Sequence, residues 1–393
     1  MLQAQIIDEQ GQYVDTLFHD HVNRQAEDFV KAYVSIAEPG DYLYTTLGHA
    51  AYHLVCPTFG LDYYYTMESE NTPNRVMVFL AGKLKMGFIP LTPEQFLSDY
   101  KEQNRGIKEW ALNLSPQQEQ RLWQILENHT KTDRDLPYDY YHRSCAIVLV
   151  NLMNEVLGTE NIHYQQPWSD KFKQTPREFV AENLDSPWTA LFMDIIAGWD
   201  VDGDIPNERK LIIPTDVVEA WQTATIDGRP LLDTVAIEIL PQGHRVEQTK
   251  CTPLLLSIIL LILSVLSLGA IWSESKGVRL AGTCIDWLII VSQMAIGVFI
   301  SYLLFASHLC CIGWHWYYIA VCPLPLLLWH WRKYWLLPYL IMLSIWVLVM
   351  IFYPHLIVIS PLIILTIAWM VVLVKQWLLE KKNINKKESK LLV

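Results

Sequence analysis

The chain has 393 residues, with 41 acidic and 30 basic side chains and a formal charge of −11. Residues 251–393 contain 10 Lys and Arg and 4 Asp and Glu, a balance of +6, so residues 1–250 carry −17. This acidity argues against nucleic-acid binding, which needs clustered basic side chains. Because long uncharged apolar runs begin only near residue 252, the sequence predicts a soluble domain at 1–250, a transmembrane domain at 251–380 and a basic tail at 381–393.

The front of the soluble domain combines short strand patterns with helix signals. Aromatic and β-branched residues predict strands at 32–36, within 42–55, at 61–66 and at several points in 75–90. Proline and capping residues predict helices at 93–103 and from Pro116 to about Asn128. The predicted fold class of this domain is therefore α+β, with strands near the front and helices behind.

A candidate nucleophile lies where the stretch from Tyr138 to Gly158 turns from aromatic and polar to apolar. Ser144 is a plausible N-cap, so Cys145 would stand in the first turn of a buried helix, where unpaired N–H groups and the helix dipole lower a thiol pKa. The alternative is a small buried hydrophobe, since cysteine is among the most buried residue types. A disulfide with Cys56 is a further, less favoured use of this residue.

A thiol nucleophile needs a base, and His49 is the best-placed histidine. It follows Gly48 on a strand-like segment upstream of Cys145, and His53 would share its face by the two-residue period of a strand. The alternative for His49 is an ordinary structural imidazole. No zinc-ligand spacing, glycine-rich phosphate loop, metalloprotease motif or serine nucleophile elbow occurs, so we expect neither a metal nor a cofactor.

The second half of the chain contains apolar runs long enough to span a bilayer. Five spans are predicted, near 253–272, 282–305, 311–329, 336–353 and 356–378. Basic residues cluster in the first and third loops and in the tail, so the positive-inside rule places those on the cytoplasmic side and the soluble domain outside. The start of the chain shows no apolar leader, although this topology requires export, and we expect a signal to have been removed or replaced.

Asp286 is the one acidic residue inside a predicted span. Its carboxylate is either functional or close enough to the membrane interface to reach it.

Several short motifs, taken together and in order, resemble the Lnb family of lipoprotein N-acyltransferases. They are Pro39-Gly40-Asp41, Leu47-Gly48-His49-Ala50-Ala51, Asn71-Thr72-Pro73-Asn74, Gly82-Lys83-Leu84, Leu112-Asn113-Leu114-Ser115 and Tyr138-Asp139-Tyr140-Tyr141 with Cys145. The resemblance covers roughly residues 28–240. It departs from the commoner family pattern around the cysteine, where Arg143-Ser144 stand in place of Asp-Asn and Ala146 in place of Thr.

The soluble domain also resembles circularly permuted papain-like, NlpC-like folds, in which a strand histidine precedes a helix-start cysteine. On this resemblance Cys145 corresponds to the nucleophile and His49 to its base. We expect the third member of the site to be Tyr64 or Tyr63, on the following strand. Further substrate contacts are expected from His142, Arg143, Ser144 and Tyr63.

The function that the resemblance implies is acyl transfer in the bacterial inner membrane. A membrane glycerophospholipid would donate a fatty acyl chain through a Cys145 thioester to the N-terminal amine of a diacylated lipoprotein. One alternative is a membrane-tethered cysteine hydrolase of peptidoglycan or peptides. Another is a non-catalytic envelope receptor or scaffold, which predicts that His49 and Cys145 lie far apart.

Overall fold

The computed structural model describes residues 30–57, 60–69, 73–203, 207–243, 250–352 and 356–391. The expectation about a leader segment concerns residues outside these ranges. The chain divides into two compact units. Within the described residues, the first contains 30–184, 201–243 and 308–311, and the second contains 185–200, 250–307 and 312–391.

A seven-stranded antiparallel sheet forms the centre of the first unit. Its strands are β1 (Lys31–Ala37), β2 (His49–Cys56), β3 (Leu61–Ser69), β4 (Lys85–Leu91), β5 (Ile107–Ala111), β6 (Leu136–Pro137) and β9 (Ile237–Leu240), in the spatial order β6-β4-β3-β2-β1-β5-β9. A separate two-stranded ribbon pairs β7 (Thr225–Ile226) with β8 (Arg229–Pro230). The strands predicted at 32–36 and 61–66 are confirmed.

Two apolar clusters cover the two faces of the sheet, as the alternation of side chains along a strand requires. One joins Tyr52 and Tyr65 to Trp123 and to the helix that follows Cys145. The other joins Ala51 and Tyr64 to the helix that carries Phe96. Because residues of one strand alternate between these clusters, the register of β2 against β3 decides which side chains meet at the end of the sheet.

Among the α-helices described in the first unit, four begin after a serine or threonine whose side chain caps the first turn. The α-helices described in this unit are α1 (Arg75–Leu80), α2 (Pro93–Glu102), α3 (Pro116–Thr132), α4 (Cys145–Leu157), α5 (Trp168–Lys171), α6 (Pro176–Glu182) and α8 (Pro214–Thr223). Capping boxes with proline in the first turn start α2 and α3, as predicted.

The sequence predicts short strands at several points in 75–90; β4 is one of them, whereas helix α1 occupies the first part of this range. It follows Asn74, which adopts the left-handed conformation at φ 58° and so turns the chain. Phe79 and Leu80 are buried while Val76 and Met77 are exposed. A six-residue segment carries too little periodicity to be recognised as a helix in the sequence.

The second unit contains four helices long and apolar enough to cross a membrane. The apolar spans are Pro253–Trp272, Lys276–Ala306, Trp329–Met350 and Val358–Lys382. The helices that contain most of each span are α9 (Pro253–Gly269), α10 (Lys276–Ala306), α13 (Arg332–Met350) and α14 (Leu356–Leu391). Helix α7 (Pro187–Ile196) belongs to this unit as well. Its Asp194 accepts a hydrogen bond of 2.6 Å from the Tyr317 hydroxyl.

The span predicted at 311–329 is not a continuous helix. It contains only the four-residue helices α11 (Tyr318–Val321) and α12 (Leu324–Leu327), because Pro323 and Pro325 remove backbone donors in the middle of the run. Side chains of the neighbouring helices bind the carbonyl groups left without helical partners. The Gln293 amide donates to Ala320 O (2.8 Å), the Tyr339 hydroxyl donates to the same carbonyl (3.1 Å), and the Trp346 indole donates to Trp316 O (2.8 Å).

Asp286 is paired inside the helical bundle. Its carboxylate lies 2.6 Å from the Lys375 ammonium and accepts a hydrogen bond of 2.5 Å from the Ser267 hydroxyl. Lys375 also donates to the Ser267 oxygen at 2.6 Å. All three side chains are buried, so they connect α9, α10 and α14 through a compensated pair of charges.

We expect the substitution Lys375→Met to destabilise the bundle, because it leaves the Asp286 carboxylate buried without a cation. Breaking one partner of a buried pair costs about 3–5 kcal/mol, whereas replacing both partners with apolar residues is close to neutral. The measurement is thermal unfolding of the full chain in detergent. The double variant D286L/K375M should recover most of the loss, and a double variant as unstable as K375M would contradict the pairing.

Candidate active site

Cys145 is the first residue of α4, as the sequence predicts. Ser144 is its N-cap: the Ser144 oxygen accepts a hydrogen bond from the Ile147 amide at 3.3 Å, and its hydroxyl donates to Ile212 O at 3.3 Å. These two bonds bury Ser144 and fix the start of the helix. Cys145 itself is partly exposed and is a free thiol, so no disulfide joins it to Cys56.

His49 is the first residue of β2. The Thr66 hydroxyl donates to Ala50 O at 3.2 Å, and its oxygen lies 2.6 Å from Nε2 of His49. Because a hydroxyl has one proton and Thr66 gives it to the carbonyl, the oxygen accepts from the imidazole N–H. Glu68 Oε1 lies 3.5 Å from the same nitrogen. These contacts orient the ring and favour its charged form.

The structure brings His49 and Cys145 together in a hydrogen bond. Burial by itself lowers the pKa of His49, but Cys145 and Glu68 outweigh burial and raise it to about 10. Burial raises the pKa of Cys145, whereas His49 and hydrogen bonds from the Ala50 and Ala146 amides lower it, and the result is a lowered pKa. Both shifts favour the thiolate and imidazolium form of the pair over the neutral form.

Glu68 is the residue that sequence reasoning missed. In the antiparallel register of β2 and β3, Cys56 lies opposite Leu61 and Ala51 opposite Thr66. Continuing the same register by two residues places Glu68 beside His49. A short connection between two strand patterns already implies this pairing, because strands in a tight hairpin pair back from the turn.

Tyr64, expected as the third member of the site, lies opposite His53 rather than His49. Its ring stacks on His53 at 4.1 Å and on Phe96 at 4.2 Å between centroids. His53 lies 3.0 Å from Glu109 and 2.6 Å from Asp62, so both of its ring nitrogens are engaged by carboxylates. These contacts make His53 part of a structural network of the sheet, although it shares a face with His49 as predicted.

Of the other residues expected to contact substrate, Tyr63 lies on the sheet, whereas His142 and Arg143 lie in the turn before Cys145. Tyr63 pairs with Leu54, five positions along β2 from His49, and packs against the opposite face from Tyr64. The backbone amide of His142 donates to Asp139 Oδ1 at 3.2 Å, and its ring nitrogen lies 3.3 Å from that atom. Arg143 donates to Pro137 O at 3.2 Å. His142 and Arg143 thus lie in the turn that delivers the chain to Cys145.

Aromatic rings and one buried cation surround the thiol. Tyr100 stacks against His49, with 6.4 Å between ring centroids, and the Arg105 guanidinium lies 4.9 Å from the centroid of Tyr100. Arg105 is buried, and no ion pair joins it to a carboxylate among the described residues. Burial lowers the pKa of Arg105, while nearby Tyr100, Cys145 and Glu68 raise it. Its charge therefore adds to the positive field that favours a thiolate.

In the ranges that the structure describes, no group of three or more His, Cys, Asp and Glu side chains could hold a metal ion. A thiolate beside an imidazolium, with two backbone amides directed at the sulfur, is suited to nucleophilic attack on a carbonyl.

Residues 24–175 match the family model described as the Lnb N-terminal periplasmic domain. This part of the chain is an Lnb-type domain. The matched segment contains His49, Glu68 and Cys145. Comparisons with curated proteins and with solved structures gave no match. The family match and the four apolar helices together identify a membrane protein with a periplasmic N-terminal domain.

We expect His49→Gln to move the reactivity of Cys145 to higher pH, because the thiol loses the cation that lowers its pKa. Alkylation of Cys145 by iodoacetamide at pH 7 should fall about tenfold or more, since one pKa unit changes the thiolate fraction tenfold. The measurement is mass spectrometry of the Cys145 peptide across a pH series, which separates this residue from the other six cysteines.

His129→Gln is the matched control for this substitution, because His129 pairs with Asp133 and Glu155 on α3 and α4 rather than with the thiol. Its pH profile should equal that of the unmodified chain. Equal profiles for H49Q and H129Q would contradict the ion pair.

We expect Glu68→Gln to lower the pKa of His49, because Glu68 is one of the groups that raise it. The imidazolium should therefore lose its proton at a lower pH, which lowers the upper limit of the pH range in which thiolate and imidazolium coexist. Tyr64→Phe should leave this range unchanged, since its ring stacks on His53. An NMR titration of the His49 imidazole distinguishes the two variants, and a larger shift in Y64F would restore Tyr64 as the third member.

Proposed function

We propose that the chain is a lipoprotein N-acyltransferase that uses Cys145 as a covalent nucleophile. The observation that carries the proposal is the hydrogen-bonded pair of Cys145 and His49 in an Lnb-type domain that is joined to membrane-spanning helices. The donor is a membrane glycerophospholipid, and the acceptor is the N-terminal amine of a diacylated lipoprotein. Both substrates are lipids, which explains why a membrane anchor accompanies the domain.

In the first half-reaction the Cys145 thiolate attacks the carbonyl carbon of a phospholipid ester. The C–S bond forms, the bond to the glycerol oxygen breaks, and the imidazolium of His49 gives its proton to the leaving alkoxide. The products are a thioester on Cys145 and a lysophospholipid. The amides of Ala50 and Ala146, which donate toward the sulfur in the resting site, are the nearest donors for the tetrahedral oxyanion.

In the second half-reaction the amine of the lipoprotein attacks the thioester carbonyl. The now neutral His49 accepts a proton from the attacking nitrogen, the C–S bond breaks, and the thiolate returns with an amide as product. Glu68 acts as a positioning residue, because it lies 3.5 Å from His49 Nε2 and stabilises the imidazolium that forms again.

The proposed fold of the soluble domain is a circularly permuted papain-like one. Its support is the order of the parts: His49 at the start of a strand, an antiparallel sheet, and then Cys145 at the start of a helix that packs on that sheet.

The proposed topology has five crossings, with the broken segment 312–331 as the third. Near their ends, α9 and α14 meet the beginning of α10 through Ser267, Lys375 and Asp286. Arg332 at the start of α13 pairs with Glu380 at 3.0 Å. These contacts put the end of α9 and the starts of α10 and α13 on one side of the bundle, so the chain between α10 and α13 returns across it.

The broken segment runs antiparallel to α13, which supports this return. Trp316 bonds with Trp346, Ala320 with Tyr339 and Leu328 with Trp335. The basic residues of the first loop, the third loop and the tail then share one side, which the positive-inside rule makes cytoplasmic. The proposed location is the bacterial inner membrane, with the Lnb-type domain in the periplasm and the C-terminus in the cytoplasm.

The scaffold alternative predicted separated His49 and Cys145 side chains, and these are in contact. A hydrolase would use the same pair with water as acceptor. The four apolar helices of the chain favour transfer between lipids over hydrolysis of a soluble substrate.

We expect Cys145→Ala to abolish acyl transfer, because no thioester can form. Intact-protein mass spectrometry after incubation with phosphatidylethanolamine should show one acyl adduct on the unmodified chain and none on C145A. Cells that carry only C145A should accumulate diacylated lipoprotein at normal levels of the membrane protein.

Cys56→Ala is the control, because Cys56 lies at the far end of β2 and is buried in the sheet. It should retain the adduct. Normal N-acylation by C145A, or an acyl adduct that moves to water without any amide product, would reject the transferase.

A further inference from the structure

Most of the exposed large apolar side chains of the first unit lie together. The structure describes six of them in this unit, and two lie at or just before the start of β9. The other four are Tyr42, Tyr44, Val76 and Met77. The rings of Tyr42 and Tyr44 stack at 5.4 Å between centroids, and the Arg75 guanidinium lies 4.8 Å from the centroid of Tyr44. We call these four residues and Arg75 the α1 surface.

The composition of the α1 surface is typical of the boundary between lipid and water. Tyr42 and Met77 are 56% and 60% exposed, so both leave apolar atoms in contact with solvent. Tyrosine rings are enriched at the level of the lipid head groups, because the ring is apolar and the hydroxyl is polar. Arg75 adds a cation, which lipid phosphates attract. A phospholipid surface therefore complements both the apolar and the charged side chains.

Both parts of the α1 surface are attached to the segment that leads to Cys145. The Tyr140 hydroxyl donates to Leu43 O at 3.1 Å, and Leu43 is the residue between the two exposed tyrosines. On α1, the ring of Phe79 packs edge-on against Tyr140, with 5.1 Å between centroids. The exposed side chains therefore project from a backbone that contacts with Tyr140 hold in place.

The α1 surface lies at the end of the sheet that carries the active site. Its tyrosines belong to the connection from β1 to β2, and β2 begins with His49. Helix α1 belongs to the connection from β3 to β4, and β3 ends at Ser69. Because β2 and β3 are antiparallel and Cys56 lies opposite Leu61, Ser69 lies at the same end of the sheet as His49.

The end of α1 contacts the segment that follows α10. The backbone amide of His308 donates to Ala81 O at 3.2 Å. Gly82, at φ +67°, packs against the backbone of His308 and Leu309 so closely that a Cβ there has no room. Residues 308–311 belong to the first unit, so this contact lies within that unit.

The sequence of α10 indicates where its end lies in the membrane. Residues 287–306 contain no Asp, Glu, Lys or Arg, and these 20 residues of helix span about 30 Å, the thickness of the hydrocarbon core. Phe305 is 76% exposed, so the helix keeps an apolar surface up to its last turn. Ala306 therefore lies at the membrane boundary, and His308 follows it by two residues, which span at most about 7 Å. The hydrogen bond from His308 to Ala81 thus places the end of α1 at this boundary.

We propose that the α1 surface rests in the head-group layer of the periplasmic leaflet, with Tyr42 and Met77 in contact with phospholipid. The choice of leaflet follows from the family match, which makes the first unit periplasmic. This contact holds the end of the sheet that carries His49 and Cys145 toward lipid. The proposal does not depend on acyl transfer, because it concerns a surface outside the catalytic pair and predicts lipid contact whatever reaction the pair performs.

Photo-crosslinking of the full chain in nanodiscs of phosphatidylethanolamine and phosphatidylglycerol tests this contact. The photoreactive residue p-benzoylphenylalanine replaces Tyr42, Met77 or Val235, and mass spectrometry identifies lipid adducts after irradiation. The adduct yield at positions 42 and 77 should be several times the yield at position 235. Equal yields at the three positions would reject the α1 surface as a lipid contact. A crosslink from position 77 to a second copy of the chain, in place of lipid, would also overturn the proposal by making this surface a protein interface.

Val235 is the matched control, because it is an apolar side chain of the same unit and is 70% exposed. It lies close to the last residue of β5, since the amide of Asp233 donates to Ala111 O at 2.9 Å. Ile107, at the other end of β5, pairs with Ala37, the last residue of β1 before the α1 surface. Val235 thus lies at the end of the sheet remote from the α1 surface, and the compared positions differ in location rather than in exposure.

Charge substitutions test whether the contact depends on the composition of the surface. Met77→Glu places a carboxylate among the lipid phosphates, so the adduct yield at position 42 should fall several-fold. Arg75→Glu should lower the same yield, because it replaces the cation with an anion, and Val235→Glu should leave it unchanged. Thermal unfolding and alkylation of Cys145 verify that the variants fold. An unchanged yield in M77E would overturn the proposal, and an unchanged yield in R75E would remove Arg75 from the surface.

The same experiment separates this proposal from the acyl transfer proposed above. Lipid adducts at positions 42 and 77 without an acyl adduct on Cys145 would keep the surface and reject the transferase. Acylation of Cys145 without those lipid adducts would reject the surface and keep the transferase.

Discussion

The ion pair between Cys145 and His49 is the interaction on which the site depends. A thiolate in a partly buried place is costly unless several groups compensate its charge. Here the imidazolium, the amides of Ala50 and Ala146 and the nearby Arg105 do so together. They come from three parts of the fold, namely the start of β2, the first turn of α4 and the loop between α2 and β5. The site therefore exists only when the sheet and the cysteine helix are both in place.

Much of this arrangement could be predicted from local sequence, and the exceptions have physical reasons. The Ser144 cap, the helix beginning at Cys145 and the strand beginning at His49 depend on neighbouring residues, and all are found. Glu68 depends on the register between two strands, so it required counting back from the turn rather than choosing the most reactive side chain nearby. Arg105 was missed because its position depends on packing across the sheet, which no periodicity reveals.

In the membrane half, the sequence predicts where the apolar segments lie but not their internal structure or their contacts. Hydropathy recognises apolar runs well, but it does not record whether each run remains a helix. The segment 312–331 contains no Asp, Glu, Lys or Arg and yet is broken, since prolines interrupt it and side chains of adjacent helices replace the missing backbone partners. Asp286 likewise looked exceptional in the sequence, although Lys375, distant along the chain, supplies its counter-charge.

The carbonyl groups bound by Gln293, Tyr339 and Trp346 have a consequence for how the protein is made. The segment between α10 and α13 leaves the ribosome before Tyr339 and Trp346 have been synthesised. Until they arrive, its open carbonyl groups have no partner in hydrocarbon and must remain hydrated. In the proposed five-crossing topology, the segment can therefore enter the bilayer only together with α13, and α10, the segment and α13 would form a single unit of membrane assembly.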